Sequence, residues 1–213
     1  LTTVTSVEEA DETTYNINDA ISNVIGTVGG GYRDGSLTQS SNLDAAPNLS
    51  NSFIVLVSPG IYTESSQIVL PNYVSLRGEG KNQVIIQKTS SANESLADSA
   101  IIKSGSNSSI TNITVRMNPN GKTNICGIYA SSNSDVTINN VIVEDIGSSG
   151  ATNNCFGVYI QSGSNLIINN YETKFSLDSS NIYGIYTHNN KPDINNSKIT
   201  IEANANTNNY GIY

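Results

Sequence analysis

The feature that most limits how this chain can fold is a phrase it repeats. Ile125-Cys-Gly-Ile-Tyr129, Cys155-Phe-Gly-Val-Tyr159, Ile182-Tyr-Gly-Ile-Tyr186 and Asn209-Tyr-Gly-Ile-Tyr213 share one pattern. Their glycines, Gly127, Gly157, Gly184 and Gly211, stand 30, 27 and 27 residues apart. A unit of that length cannot bury an apolar face alone, so copies must stack on one another, and the period places the chain among the solenoids. Between the glycines lie Val136-Thr-Ile-Asn-Asn-Val-Ile-Val143, Leu166-Ile-Ile-Asn-Asn-Tyr-Glu-Thr173 and Asp193-Ile-Asn-Asn-Ser-Lys-Ile-Thr200, with an earlier copy at Ser109-Ile-Thr-Asn-Ile-Thr-Val115. These stretches are short and rich in β-branched residues, which marks them as strands.

Each copy places an asparagine at one position: Asn112, Asn140, Asn170 and Asn196. After glycine, asparagine best tolerates left-handed backbone angles, so one such residue turns the chain sharply between two strands. Stacked rung on rung, the side-chain amides can bond to each other and satisfy backbone groups that the corner leaves unpaired. The result is an all-β coil with three short strands per turn.

Composition excludes several function classes. The formal net charge is −8 and the sequence pI about 4.5, the opposite of what a phosphate backbone attracts, so nucleic acid is not an expected partner. The longest apolar run, Phe53-Ile-Val-Leu-Val57, is strand-sized, and no membrane-inserted segment is expected. Only 13% of residues are charged; Asn, Ser and Thr supply the polarity, as in an exported or surface-exposed protein. Sequons at Asn48, Asn93, Asn107, Asn112 and Asn195 add little, because such a composition produces them by chance.

The Ile-x-Asn corners, Gly-Ile-Tyr strands and period resemble the right-handed parallel β-helix of the pectin-lyase-like superfamily. Ile54-Val-Leu-Val-Ser-Pro-Gly-Ile-Tyr-Thr-Glu64, Ile68-Val-Leu-Pro-Asn-Tyr-Val-Ser-Leu-Arg-Gly-Glu-Gly80 and Val84-Ile-Ile86 resemble the opening coils of pectin methylesterase-like proteins. The resemblance covers residues 53–213. It implies a pair of catalytic Asp residues, an Arg and Gln residues if the esterase chemistry were present. Where a Gln-Ala-Val-Ala-Leu motif would fall, the chain reads Asn124-Ile-Cys-Gly-Ile-Tyr-Ala130, and no Gln-Asp-Thr-Leu or Gly-Arg-Pro-Trp motif follows. A pectate lyase would need an acidic cluster for calcium beside an Arg; Arg33, Arg77 and Arg116 have none in register. No cofactor and no metal are expected.

Ahead of the first coil, Ile17, Ala20, Ile21, Val24 and Ile25 recur at helical spacing before Gly26. That spacing predicts an amphipathic α-helix capping the bottom rung, whose strand edges would otherwise be free. The expected organisation is a cap helix and connecting loop over 1–52, the loop being 28–52, then coils over 53–213. No polar or helical cap is legible after the last copy, so the coil is expected to be incomplete at its C-terminal end.

Alternation along the strands assigns faces. Ile128, Val158, Ile185 and Ile212 point inward, and Tyr129, Tyr159, Tyr186 and Tyr213 outward. These four tyrosines, with His188 two residues beyond Tyr186, are the candidate carbohydrate- or partner-binding residues. Three readings stay open: the rings hold a sugar, they stack on each other, or they are covered by another chain. The same parity sends Phe156, Tyr183 and Tyr210 into the coil or to its corner beside Cys126, with Cys155 facing the other way and both thiols free. A second outward row aligns Arg116, Glu144, Lys174 and Thr200, with Glu172 and Lys198 adjacent. Glu144 and Glu172 are the candidate catalytic carboxylates, against a reading as surface ion pairs. Asp135, Asn165 and Asp193 are expected in equivalent turns.

Two functions from different classes follow. One is a non-catalytic module with a structural or adhesive role, touching carbohydrate or sibling subunits, possible as an end-to-end or side-by-side homo-oligomer. The other is a polysaccharide-degrading enzyme, whether lyase, glycoside hydrolase or tailspike depolymerase, with its active site in missing coils or between subunits.

Overall fold

A computed structural model describes residues 2–4, 17, 18, 20, 21, 47–49, 52–88, 94–118, 123–131, 134–146, 152–176, 179–202 and 208–213. The 28–52 loop falls outside these residues except at 47–49 and 52. A strand β1 (Thr2–Val4) precedes the coil. The chain then winds through β2 (Phe53–Val57), β3 (Gly60–Glu64) and β4 (Ile68–Val69), and next through β5 (Val74–Gly78), β6 (Val84–Lys88), a short helix α1 (Leu96–Ser99) and β7 (Ala100–Ser104). Above these come β8 (Ser108–Thr111), β9 (Thr114–Met117) and β10 (Asn124–Ala130), then β11 (Asp135–Asn139), β12 (Ile142–Asp145) and β13 (Thr152–Ile160). The uppermost turns are β14 (Asn165–Asn169), β15 (Glu172–Phe175) and β16 (Ser179–Thr187), followed by β17 (Asp193–Asn195), β18 (Lys198–Ile201) and β19 (Asn208–Ile212).

Among the described residues the strands β1 to β19 pair in parallel and form three sheets in the orders β1-β2-β5-β8-β11-β14-β17, β4-β7-β10-β13-β16-β19 and β3-β6-β9-β12-β15-β18. This is a parallel β-solenoid with three strands per coil. One inward column runs Val55, Leu76, Ile110, Ile138, Ile168 and Ile194. A second runs Ile68, Ile102, Ile128, Val158, Ile185 and Ile212. A third runs Tyr62, Ile86, Val115, Val143, Thr173 and Ile199. Like side chains stack at each level, and most are fully buried. Thr173 is the polar member: its Oγ1 is buried without a hydrogen-bond partner in the structure.

The asparagine corners form as the repeat predicts. Asn112, Asn140, Asn170 and Asn196 have φ of 57°, 56°, 50° and 47°. Asn140 Nδ2 donates to Asn112 Oδ1 at 2.8 Å, and Asn196 Nδ2 to Asn170 Oδ1. Their backbone amides reach the next rung, as in Asn140 N–H to Asn169 O at 3.0 Å.

Residues 17, 18, 20 and 21 are helical, and Ile17 and Ile21 join the buried core. The buried Glu64 holds this helix: Oε1 accepts from Ile17 N–H at 2.7 Å and Oε2 from Asn18 Nδ2 at 2.9 Å. Strand β1, which no sequence pattern announced, pairs Thr2 to Phe53 and Val4 to Val55 at the foot of its sheet. One register expectation is corrected. Asp135 does pair with Asn165, but Asp193 pairs with Ile167, two residues out of step, because Asp193 stands three residues before its corner asparagine, Asn196, where Asp135 and Asn165 stand five before Asn140 and Asn170.

Candidate functional site: an aromatic strip on one outer face

The glycine of the repeat sets the geometry of the β10-β13-β16-β19 face. A Cβ on Gly127 would sit 2.6 Å from Val143 Cγ1, and one on Gly157 would sit 2.4 Å from both Gly184 O and Tyr171 Oη. The bare side of the glycine thus faces the coil interior, and so does the aliphatic residue after it. The paired register passes over the glycines, linking Cys126 to Phe156 and then Ile128 to Val158. Two successive inward positions break the alternation, and the residues on either side of the pair emerge on the same outer face.

The expectation for Phe156, Tyr183, Tyr210 and Cys126 is therefore corrected: they lie outward. Phe156 and Cys126 belong to an apolar cluster separate from the main core, together with Tyr129 and packed by Tyr159, Tyr183 and Tyr186. Cys155, one residue earlier, lies in the main core, so the two cysteines face opposite ways and both are free and buried.

Two columns of rings result. In the first, Tyr129, Tyr159, Tyr186 and Tyr213 stack with centroids 5.4, 4.9 and 5.2 Å apart and planes within 12° of parallel. In the second, Phe156, Tyr183 and Tyr210 stack at 4.9 Å at both steps. The columns meet edge to face, as between Phe156 and Tyr159 at 5.3 Å and 90°. Such contacts set the positive ring edge against the negative face and add about 0.5–1.5 kcal/mol per pair beyond burial. Within each column the ring faces cover one another, leaving edges and hydroxyls toward solvent.

The strip is closed at its foot. Below Phe156 its column continues as Cys126 and Ala100, small residues that leave room for Leu96 and Ala97 of α1. Lys88 anchors that helix, donating to Glu94 Oε2 at 2.8 Å and to Asp98 O at 2.7 Å, while Gln67 Nε2 donates to Ala97 O at 2.6 Å. Tyr129 and Phe156 are each 7% exposed and Tyr213 is 58% exposed. Tyr129 Oη donates to Gln161 Oε1 at 2.5 Å. Burial pushes the phenols of Tyr129, Tyr159 and Tyr183 above their ordinary value, with further upward pushes from neighbouring ionisable groups. The seven rings of the strip include no carboxylate, ammonium or guanidinium group. His188, just past the end of β16, is exposed, with its backbone amide donating to Ile160 O.

The carboxylates lie on another face. Glu144 pairs in register with Arg116 below and Lys174 above, and Arg116 Nε approaches Glu144 Oε1 at 2.9 Å. Glu172 lies 3.6 Å from Lys174 Nζ and 4.0 Å from Lys198 Nζ. Each carboxylate is matched to a cation along the ladder. Among the described residues no group of three or more His, Cys, Asp or Glu side chains converges as metal ligands would.

A family model described as rhamnogalacturonase A/epimerase, pectate lyase-like, matches residues 7–212. The chain belongs to this family. Comparisons with curated proteins and with solved structures found no match.

Two features of this pectate lyase-like chain escaped the sequence reading. A second asparagine ladder joins Asn124, Asn154, Asn181 and Asn208 through Nδ2-to-Oδ1 bonds of 2.9, 3.0 and 3.0 Å. Its signal was present, since each residue stands three before a repeat glycine. The outward position of Phe156, Tyr183 and Tyr210 was hidden because simple alternation assigns the residue before glycine to the interior.

Proposed function

We propose that this chain is a non-catalytic β-helix module, exported or surface-displayed, with a structural or adhesive role exercised through its outer faces on carbohydrate or on sibling subunits. The observation that carries this reading is the division of labour between the faces. The row of Arg116, Glu144 and Lys174 is self-neutralising, with Glu144 and Glu172 each held beside a basic residue, and surface pairs of this kind contribute little beyond register. The neighbouring face is given to uncharged rings. A general acid or nucleophile needs a carboxylate free to meet substrate, and neither glutamate has that setting.

A second reading is favoured by the family itself, whose description names a rhamnogalacturonase and an epimerase. On that reading the chain processes a pectic polysaccharide. The test is to incubate the purified chain with galacturonan and rhamnogalacturonan and to measure new reducing ends, unsaturated products and epimerised sugars, alongside retention on immobilised glycans. Retention without product supports the module. Measurable turnover overturns it in favour of the enzyme.

A further inference from the structure

We infer that α1 is a latched lid, a small unit that lifts off the outer face while the coil beneath stays intact, with the Lys88–Glu94 ion pair as its latch. Chain length first marks the segment out. The connections from the β3-β6-β9 sheet to the β4-β7-β10 sheet span three residues at 65–67 and 176–178 and six at 118–123, 146–151 and 202–207, but 11 at 89–99. The extra length falls at one rung, and α1, at its end, lies on the cluster of Ala100, Cys126, Tyr129 and Phe156. The inference is independent of whether the outer faces serve a module or an enzyme.

Hydrogen bonding makes the unit separable. Ser95 Oγ caps the helix by accepting from Asp98 N–H, the same hydroxyl donates to Asp98 Oδ2 at 2.6 Å, and Ser99 Oγ donates to Leu96 O at 2.8 Å. Among the described residues no backbone–backbone bond joins 94–99 to the coil. Two side chains tie it down. Lys88 holds Glu94 Oε2 and Asp98 O, and Gln67 Nε2 donates to Ala97 O at 2.6 Å and Ala100 O at 3.0 Å. A helix of four residues has no stability of its own. Its apolar contacts, Leu96 and Ala97, rest on a cluster separate from the main core. Strands β7, β10 and β13 pair with each other and bury Ile102, Ile128 and Val158 in that core without α1. A segment anchored in this way opens at a fraction of the cost of global unfolding.

Burial makes Lys88 the latch. Its side chain is 6% exposed and that of Glu94 27%. Without the carboxylate a buried ammonium is left uncompensated, and moving it toward water also releases Asp98 O. Gln67 is uncharged and reaches Ala100, the first residue of β7, so it stands on the hinge side. Opening bares the patch under Leu96 and Ala97 and extends the apolar outer face downward past Phe156 to Cys126 and Ala100.

The two cysteines of the chain make the test internal, because both are buried, Cys126 under α1 and Cys155 in the main core. N-ethylmaleimide is added to the folded protein at a series of urea concentrations below the unfolding transition, and label at each site is read against time by peptide mass spectrometry. Cys126 is expected to label ahead of Cys155, with a shallow dependence on urea, because lifting α1 exposes little surface; Cys155 should follow the steep dependence of coil unfolding. Glu94→Gln is expected to speed Cys126 about tenfold or more, as stranding a buried charge implies, and to keep its urea dependence shallow. Should that variant fail to fold by circular dichroism, Leu96→Ala removes the apolar contact of the lid, leaves the ion pair in place, and is also expected to speed Cys126.

One common rate and one common urea dependence at the two thiols overturn the inference, since α1 then opens only together with the coil. A Cys126 rate unchanged in the folded variants overturns it as well.

Discussion

Tyr159 and Tyr186 stack with centroids 4.9 Å apart and planes 11° from parallel, and each also makes a T-shaped contact with Phe156. That three-ring contact exists because Gly157 lies between Phe156 and Val158 with its bare side turned inward. The aromatic face and the packing of the coil interior are thus two consequences of one glycine.

Substituting that glycine should therefore be costly. At Gly157 a new Cβ meets backbone at Gly184 O and the buried Tyr171 Oη, both at 2.4 Å. Gly157→Ala is expected to destabilise by about 3 kcal/mol, the upper range for forcing a group into a packed interior. At Gly60 a new Cβ would meet only the Tyr62 ring, at 3.4–3.6 Å, and Gly60→Ala should stay within about 0.5 kcal/mol of the parent. Urea midpoints for the two variants check the contrast; equal midpoints would contradict it.

Thr173 occupies an aliphatic column with a hydroxyl that finds no partner. Burying an unmatched hydroxyl costs about 1–3 kcal/mol, and the isosteric methyl avoids that cost. Thr173→Val is expected to raise stability by about 1 kcal/mol, read from thermal and urea unfolding. A drop instead would mean that the hydroxyl has a partner after all.

Asn140 combines a left-handed φ of 56° with an amide bond to Asn112. Asn140→Gly keeps the backbone conformation and loses the amide, for about 1 kcal/mol. Asn140→Ala adds the strain of a Cβ at positive φ and should cost about 2 kcal/mol. The order of the two, with glycine milder, separates the corner's conformational demand from its hydrogen bond.

Ionisation provides a further check. Burial holds Tyr129, Tyr159 and Tyr183 above the ordinary 10.0, and Tyr171 well above it. Because folding raises these values, the unfolded chain ionises first. Their contribution to stability is complete below about pH 10 and is lost as pH climbs through the raised folded values. Ultraviolet difference titration should show these phenols ionising late, and unfolding should become easier only above pH 10. Burial likewise raises both thiols, Cys126 and Cys155, so a thiol reagent should find neither in the native protein and both after denaturation. Native reactivity at Cys126 would show that α1 opens.

Much of this architecture was legible in the sequence, for a local reason. A period of 27 to 30 residues, β-branched strands and an asparagine at a constant place each report on backbone conformation within one rung, and stacking repeats that conformation. The inward column of Ile128, Val158 and Ile185, the charge row of Arg116, Glu144 and Lys174, and the left-handed corners followed from alternation and alignment alone. Tertiary structure decided whatever depends on contact between rungs or with segments outside them. Whether the residue before a glycine faces in or out depends on whether the neighbouring rung leaves room for a bare backbone, as Val143 and Gly184 O do at Gly127 and Gly157. The strip of Phe156, Tyr183 and Tyr210 beside the tyrosine column therefore belongs to packing, not to pattern. So do the small residues Ala100 and Cys126 under α1, the placing of β1 on Phe53–Val57, and the hold of Glu64 on Ile17, 47 residues away. Strand periodicity contains no information about which distant segment will fill a gap; that is determined by shape and unsatisfied hydrogen bonds once the coil has formed.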